Sequence, residues 1–464
     1  VTRHTFTNTA VAGCFAYDAT EDSPRRTSVS PVLRSEDREL PAHKRRQLIA
    51  SARDLPRNFA IGAWAVRKHL DYVSTFSFQS KTGDKKLDRR IEELMKWYAK
   101  PKNCDRAGRH SLARSIRMSE ARRTLDGDIF HQKLRDGRLV HIEGDRVRNP
   151  VGGSSTFNVP RKHELDHGVV VDRHGEAKRY CVHRRVRGTG FEFERAIPSR
   201  YIVQHADYGN RFDATRGISV LAPALNPFRH CMEAWEFALA KAKISQMLGL
   251  VVKRANGEES LAEETTDADG SPTGEFEFSP GKAPFVLELE HDDEAGLIES
   301  ATPSTQFQEF TSAMIAAALK ALDIPYSFFD ESFTNYSGQR QAWIQYDLSA
   351  DVKRDAVREL LDEITAWRLG LFVLDGYLEL PRKMTLANLS WDWIAAGVPW
   401  VDPLKEIKAD REAIAEGLTS RQRITKQRKG VDWFDIQDEL EAEDLRIAKR
   451  RAATAEAEEA TNAA

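Results

Sequence analysis

The 464-residue chain contains no uninterrupted apolar run near the roughly 20 residues that a bilayer-spanning helix needs, so no helical membrane span is expected. Residues 1–10 lack the basic-then-apolar pattern of a secretory leader. Cysteine is scarce: Cys14, Cys104, Cys181 and Cys231 lie far apart and form no C-x-x-C pair. That fits a reducing cytoplasm best. Charge of one sign is also missing, since 69 lysines and arginines meet 71 aspartates and glutamates. Without a whole-chain field to hold a polyanion, any nucleic-acid contact must be local. There is no G-x-x-x-x-G-K-[ST], no G-x-S-x-G and no dinucleotide fingerprint, so ATP-driven work would fall to another protein.

The length is enough for two or three folded regions, and 41% hydrophobic with 30% charged residues is ordinary globular composition. A mean hydropathy of -0.53 leans polar, which predicts large solvated or interfacial surfaces. Residues 1–41 have no sustained periodicity and read as a loosely held arm. Residues 42–99 carry helical stripes, with Ile61, Trp64, Val66, Leu70 and Val73, then Leu87, Ile91, Leu94 and Trp97. The middle alternates as strands do. Residues 129–134 and 138–142 flank Asp136-Gly137, and 169–172 and 180–183 flank His174-Gly175, which predicts two hairpins; 191–194 and 201–203 add short strands. A mixed α+β region over about 119–206 follows.

After Gly217 long helices take over. Leu221, Leu225, Phe228, Met232, Trp235, Leu239 and Ala242 recur in steps of four and three along one seam. Phe307, Phe310, Met314, Ala317 and Ala321 repeat the stepping, with Thr302 as a cap and Pro303 in the first turn, so the two helices can pair. Between them, residues 254–281 form a polar insertion. A third helix is predicted over 338–370, roughly 45 Å long. Asp402-Pro403 opens a helix ending at Gly417, Thr419 or Ser420 starts one ending at Gly430, and Asp432 starts a last helix whose tail frays beyond Arg451.

Three clusters could carry chemistry. His163-Glu164-Leu165-Asp166-His167 is a literal H-E-x-x-H, which binds zinc only when both imidazoles share one face of a stable helix. Here Pro160, Gly168 and the β-branched residues 169–171 leave room for one turn at most, which argues against a zinc hydrolase using His163, Glu164 and His167. Asp126-Gly127-Asp128 with His131 could be drawn as a nuclease metal site, but Asp and Gly ahead of a strand are ordinary turn chemistry. His291-Asp292-Asp293 reads likewise as a charge cluster after a strand. The basic residues Lys241, Lys243, Arg340, Lys353 and Arg354 sit on helices; each alone is a solvated face, and together they could line a channel if many copies surround one duplex. A near-neutral chain suits sliding, because many phosphate contacts would hold DNA fast.

Several segments resemble the lambda family of phage portal proteins. Ala52-Arg53-Asp54-Leu55-Pro56-Arg57-Asn58 is similar to a family motif leading into a buried helix, and Gly168-Val169-Val170-Val171-Asp172 to a family strand. Thr215-Arg216-Gly217-Ile218-Ser219-Val220-Leu221-Ala222-Pro223 follows. Then come Ile324-Pro325-Tyr326 with Thr334-Asn335-Tyr336-Ser337 and Arg340, and Val401-Asp402-Pro403-Leu404-Lys405-Glu406 with Gly417-Leu418-Thr419-Ser420-Arg421. The arm and the polar insertion depart from the family pattern.

The resemblance implies an α+β portal-type fold: arm 1–41, a strand-containing wing 42–217, a first stem helix 218–249, a clip 250–300 and a second stem helix 301–329. A tunnel loop 330–338, a long helix and return to the wing 339–400, and a crown with tail 401–464 complete it. It implies a non-enzymatic ring subunit without cofactor, in a dodecamer at the portal vertex of the virion, assembled in the host cytoplasm. Double-stranded DNA would pass through, with terminase large subunit, capsid or scaffold protein and head-tail adaptors as partners. Asn335, Tyr336, Arg340, Lys241 and Lys243 become tunnel candidates. Leu225, Phe228, Met232, Trp235, Leu239, Phe307, Phe310 and Met314 become stem-packing candidates. A monomeric DNA-binding adaptor is the remaining class, and the balanced charge argues against it.

Overall fold

The computed structural model describes residues 33–150, 159–186, 190–209, 211–247, 251–253, 294–296, 305–330, 336–382, 384–397 and 403–462. Helices α1 (Glu36–Glu39), α2 (Ala42–Asn58) and α3 (Ala60–Val73) open it. The extended backbone of Phe59 separates α2 from α3. Strand β1 (Phe76–Ser80) interrupts the region that periodicity assigns to helices. It pairs antiparallel with β11 (Trp391–Ala395), in register from Phe76↔Ala395 to Ser80↔Trp391. A five-residue strand whose partner lies some 300 residues away leaves no local signature.

Helix α4 (Lys85–Tyr98) is capped by Asp84, whose carboxylate accepts from the amides of Lys86 and Leu87. It buries Leu87, Ile91 and Leu94 as their spacing predicts, but Tyr98 is inside and Trp97 outside. The short α5 (Pro101–Cys104) and then α6 (Leu112–Asp126) lead to the strands. These are β2 (Asp128–Lys133), β3 (Leu139–Glu143), β4 (Glu164–Asp166), β5 (Val169–Val171), β6 (Ala177–Val186), β7 (Gly190–Pro198) and β8 (Ile202–Ala206). They form two open antiparallel sheets, ordered β3-β2-β8 and β4-β5-β6-β7. Both expected hairpins are present, β2 with β3 and β5 with β6.

Helix α7 (Leu225–Met247) starts after a 3-10 turn at Ala222–Ala224, and α8 (Thr305–Leu319) packs beside it. Strands β9 (Val251–Lys253) and β10 (Glu294–Gly296) pair antiparallel between them. Thr302, Pro303, the insertion at 254–281 and the cluster at 291–293 lie outside the described residues. Helix α9 (Tyr336–Leu374) has 39 residues, two more at its start and four more at its end than its sequence limits suggest, or about 58 Å. The carboxy-terminal helices are α10 (Pro403–Ala415), α11 (Arg421–Lys429) and α12 (Trp433–Asn462). The side chain of Ser420 caps α11 through the Arg423 amide. Helix α12 runs on past Arg451, consistent with the strong helix propensity of its Ala and Glu.

Among the described residues, three apolar cores hold these elements together. One joins α4, α6, α9 and β11 around Tyr98, Ile116, Leu361, Ile364 and Phe372. A second joins α2, α3, α7, α8 and the start of α9 around Leu55, Leu70, Phe228, Ile315 and Tyr346. The third lies in the strand region around Phe130, Ile142, Val169, Val182 and Ile197.

Candidate functional site

The chemistry of this chain concentrates where α2, the α6–β2 junction and the segment before α7 meet. Gly127 ends α6 with φ +93°, and a Cβ there would lie 2.5 Å from the Gly217 carbonyl; a Cβ on Gly217 would lie 1.9 Å from the Gly127 oxygen. Two glycines back to back let two chain segments touch, and any other residue would force them apart.

That contact sets Arg216 beside Asp128. Arg216 Nε donates to Asp128 Oδ2 at 2.5 Å and Nη2 to Oδ1 at 2.9 Å, a bidentate pair. Its Nη1 donates to the carbonyls of Val147 at 2.7 Å and His167 at 2.6 Å, and Nη2 also to Gly144 at 2.7 Å. All five guanidinium donors are thereby used. Burial opposes the charge, but Asp128 outweighs it and raises the pKa of Arg216. Two further arginines of α2 converge here. Arg53 makes a second bidentate pair, to Asp126 at 2.8 and 2.6 Å, and this hydrogen bonding raises its pKa. Arg45 donates from Nη1 to the Gly217 carbonyl at 2.5 Å. Thr215 donates from its amide and hydroxyl to Asp37 at 2.9 Å, tying α1 to the same segment.

A second buried knot lies behind it. Glu120 on α6 accepts from Arg123 at 2.8 Å through both oxygens, and lies 2.9 Å from His69 Nε2 and 3.0 Å from His205 Nε2. Against the pull of burial, Arg123 and these hydrogen bonds hold the Glu120 carboxyl well below its usual range. His131 and His141 face each other across β2 and β3 at 2.8 Å between their Nδ1 atoms, so one neutral ring donates to the other. Burial lowers both pKa values.

These arrangements overturn the two metal-site possibilities. His163 precedes β4, Glu164 and Asp166 are in that strand, and His167 sits in the following turn with φ +46°. The helix that H-E-x-x-H requires is absent, and His167 Nε2 instead hydrogen-bonds the Asp37 carbonyl at 2.8 Å. Asp126 and Asp128 face two different arginines, and His131 faces His141. Among the described residues no group of three His, Cys, Asp or Glu could hold a metal ion, and no described helix is long and apolar enough to cross a membrane. Turn chemistry accounts for Gly127 but not for its neighbours. The available signal for their real role was the pair of arginine-containing motifs at 52–58 and 215–223, whose charges require buried counter-ions.

Lys241 and Lys243 are exposed on α7, and Arg340 is exposed on the first turns of α9. Asn335 lies outside the described residues; Tyr336 and Gly338 belong to α9, not to a loop. Lys353 and Arg354 are not a solvated lining. Lys353 pairs with Asp323 at 2.8 Å and donates to the Leu322 carbonyl, while the buried Arg354 donates to the Tyr72 carbonyl and to Asp347.

Along the paired helices, Leu225 and Phe228 are buried and Met232 and Met314 packed against the same core, with Phe307 half-buried. Trp235 packs on Phe59 with ring centroids 5.8 Å apart yet is 39% exposed, and Leu239 and Phe310 are exposed as well. The buried face of α7 passes through Cys231, so it diverges from the seam of threes and fours after the first two turns. Helix α7 packs against both α2 and α8.

The model of the phage portal protein, lambda family, matches residues 22–354 of this sequence. The chain belongs to the lambda family of phage portal proteins. A probable portal protein of Halomonas phage phiHAP-1 is 25% identical over 390 residues, covering 79% of this chain and 72% of that one. Solved structures of the neck of an empty gene transfer agent (GTA) particle and of the virion of a native one each contain a chain similar to it, at 14% identity and TM-score 0.43. They cover 81% and 82% of this chain and 92% of each of those chains. The family is one of structural, non-enzymatic components of the phage particle, so the hydrolase alternative falls with its missing helix. Both arginine motifs and both buried aspartates lie inside the matched portal region, whereas the resembling block at 401–421 lies beyond it.

Proposed function

We propose that this portal protein closes into a ring, twelve copies by family resemblance, forming the channel at one capsid vertex for DNA packaging, retention and ejection. One observation carries this reading: ridges of large apolar side chains that stand exposed among the described residues. On α9, Ile344, Leu348 and Val352 stand one above another at spacings of four, with Leu348 68% and Val352 72% exposed. On α7 and α8, Trp235, Phe237, Leu239 and Phe310 are exposed. Contiguous apolar ridges of this kind mark protein contacts, and a heterologous contact that closes by rotation leaves no ridge uncovered.

In this reading residues 42–217 and 339–400 form the wing, α7 and α8 the stem, 250–300 the clip and 401–464 the crown with its tail. Terminase large subunit would dock on the clip during packaging and head-tail adaptors afterwards, with capsid or scaffold protein around the rim. Asn335, with Tyr336 and Arg340 at the start of α9, would face the duplex, together with Lys241 and Lys243. The near balance of charge supports a conduit, because a strongly basic wall would grip the duplex. Electron microscopy of purified protein tests the ring. Leu348→Asp and Trp235→Asp should each lower ring yield at least tenfold without unfolding the subunit. Wild-type yields from both would overturn the assignment of the ridges.

A further inference from the structure

A cavity of about 780 Å³ opens between α2, the segment after β3 and the start of α7. Seven arginines line it against two carboxylates, Asp54 and Asp145. Arg53 and Arg216 are already committed to Asp126 and Asp128. Asp145 is likewise engaged, by Arg53 and Arg185. That leaves Arg45, Arg46, Arg57, Arg148 and Arg229, none of which has a carboxylate within 4.0 Å among the described residues.

Arg45 is the least compensated of them. It is 6% exposed, its Nη1 is spent on a carbonyl, and its Nε has no hydrogen-bond partner among the described residues. Burial and the neighbouring Arg216 pull its pKa down to about 10. A buried guanidinium without a counter-ion is costly, and an entering anion would relieve that cost.

We propose that this cavity is a docking site for an acidic peptide segment of a partner protein, with carboxylates facing the arginines that have no carboxylate partner among the described residues. Of these, Arg148 also donates to the Asp145 carbonyl and stacks on Phe191. Its walls carry Ile49 and Val147 among the guanidinium groups, which suits a peptide that mixes acidic and apolar residues. Its volume is that of a ligand pocket. A duplex presents its phosphates on a convex surface and cannot enter a recess of this size. Arg46 and Arg229 are exposed, so they can meet the segment first. Bidentate carboxylate recognition by arginine would then fix its register.

The test is fluorescence polarisation with the full-length protein and a fluorescein-labelled hexapeptide alternating glutamate and leucine. Saturable binding is expected that weakens at least tenfold with the glutamine-leucine peptide, and at least tenfold in Arg46→Glu/Arg229→Glu. Those two side chains are exposed, so folding should survive, and thermal melts check it. Arg45→Gln should weaken binding about fivefold. No saturable binding, or binding indifferent to both variants, overturns the proposal. Displacement of the peptide by pyrophosphate or by a 20-base-pair duplex at equal concentration also overturns it, in favour of a small-anion or nucleic-acid site.

Discussion

Replacing Arg216 with alanine is the sharpest test of the hub. The side chain of Arg216 is 1% exposed and that of Asp128 is fully buried. Alanine removes five donated hydrogen bonds at once. Asp128 keeps the Gly217 amide at 3.1 Å but loses its counter-ion, and the carbonyls of Gly144, Val147 and His167 each lose a donor. Breaking a buried pair by removing one partner costs about 3–5 kcal/mol. That is a large part of the roughly 5–15 kcal/mol by which a folded domain is stable. Asp128→Ala should cost a similar amount, because it leaves the guanidinium uncompensated. The double variant removes both charges, so it should cost about 2 kcal/mol less than the sum of the two. Arg53→Ala is the control. Its side chain is one-fifth exposed and Arg122 remains 3.6 Å from Asp126, so a loss of only about 1–2 kcal/mol is expected. Urea midpoints read by tryptophan fluorescence at fixed protein concentration measure all four. An Arg216→Ala loss below about 1 kcal/mol, or strict additivity in the double variant, would refute the reasoning.

Other expectations follow from the same geometry. Gly217→Ala puts a Cβ into the Gly127 backbone, so soluble yield should collapse, whereas Gly175→Ala, in an open turn, should cost only the strain of its positive φ; expression trials compare them. His69, His131 and His141 are all held below the ordinary value of 6.5 mainly by burial. The unfolded chain therefore takes up their protons first, and stability should fall as pH drops below about 6.5, by up to about 1.4 kcal/mol per pH unit for each ring. Glu120 acts lower: its depressed pKa contributes stability that is present above the unfolded carboxyl value and lost as pH falls through the folded one. Melting temperatures from pH 8 to 4 should show this, and a flat profile between pH 7 and 5 would contradict it. Alanine at Asn335, Tyr336 or Arg340 should leave rings intact while reducing packaged or retained DNA, measured by particle DNA content; unchanged DNA content would remove those residues from the tunnel.

How much of this was legible beforehand depended on the range of the interaction. The hairpins at 136–137 and 174–175 follow from turn residues between alternating strands, and the stops at Gly417 and Gly430 from capping chemistry. Both are settled within a few residues. Strand β1 was hidden because its partner β11 is remote. The exposure of Trp235 and Leu239 was hidden because periodicity names a face without saying which neighbour covers it.

The sequence by itself determined the helix and strand periods, the near-neutral charge, the lack of a G-x-x-x-x-G-K-[ST], a G-x-S-x-G and a dinucleotide fingerprint, and the arginine motifs that resemble the portal family. Only the tertiary structure decided that Asp126 and Asp128 serve Arg53 and Arg216, that His163 and His167 flank a strand, and that five arginines share a cavity with no carboxylate partner among the described residues. The physical reason is that charge pairing and burial depend on distance in space. Gly127 and Gly217 touch across 90 positions of chain, and no local pattern records such a meeting.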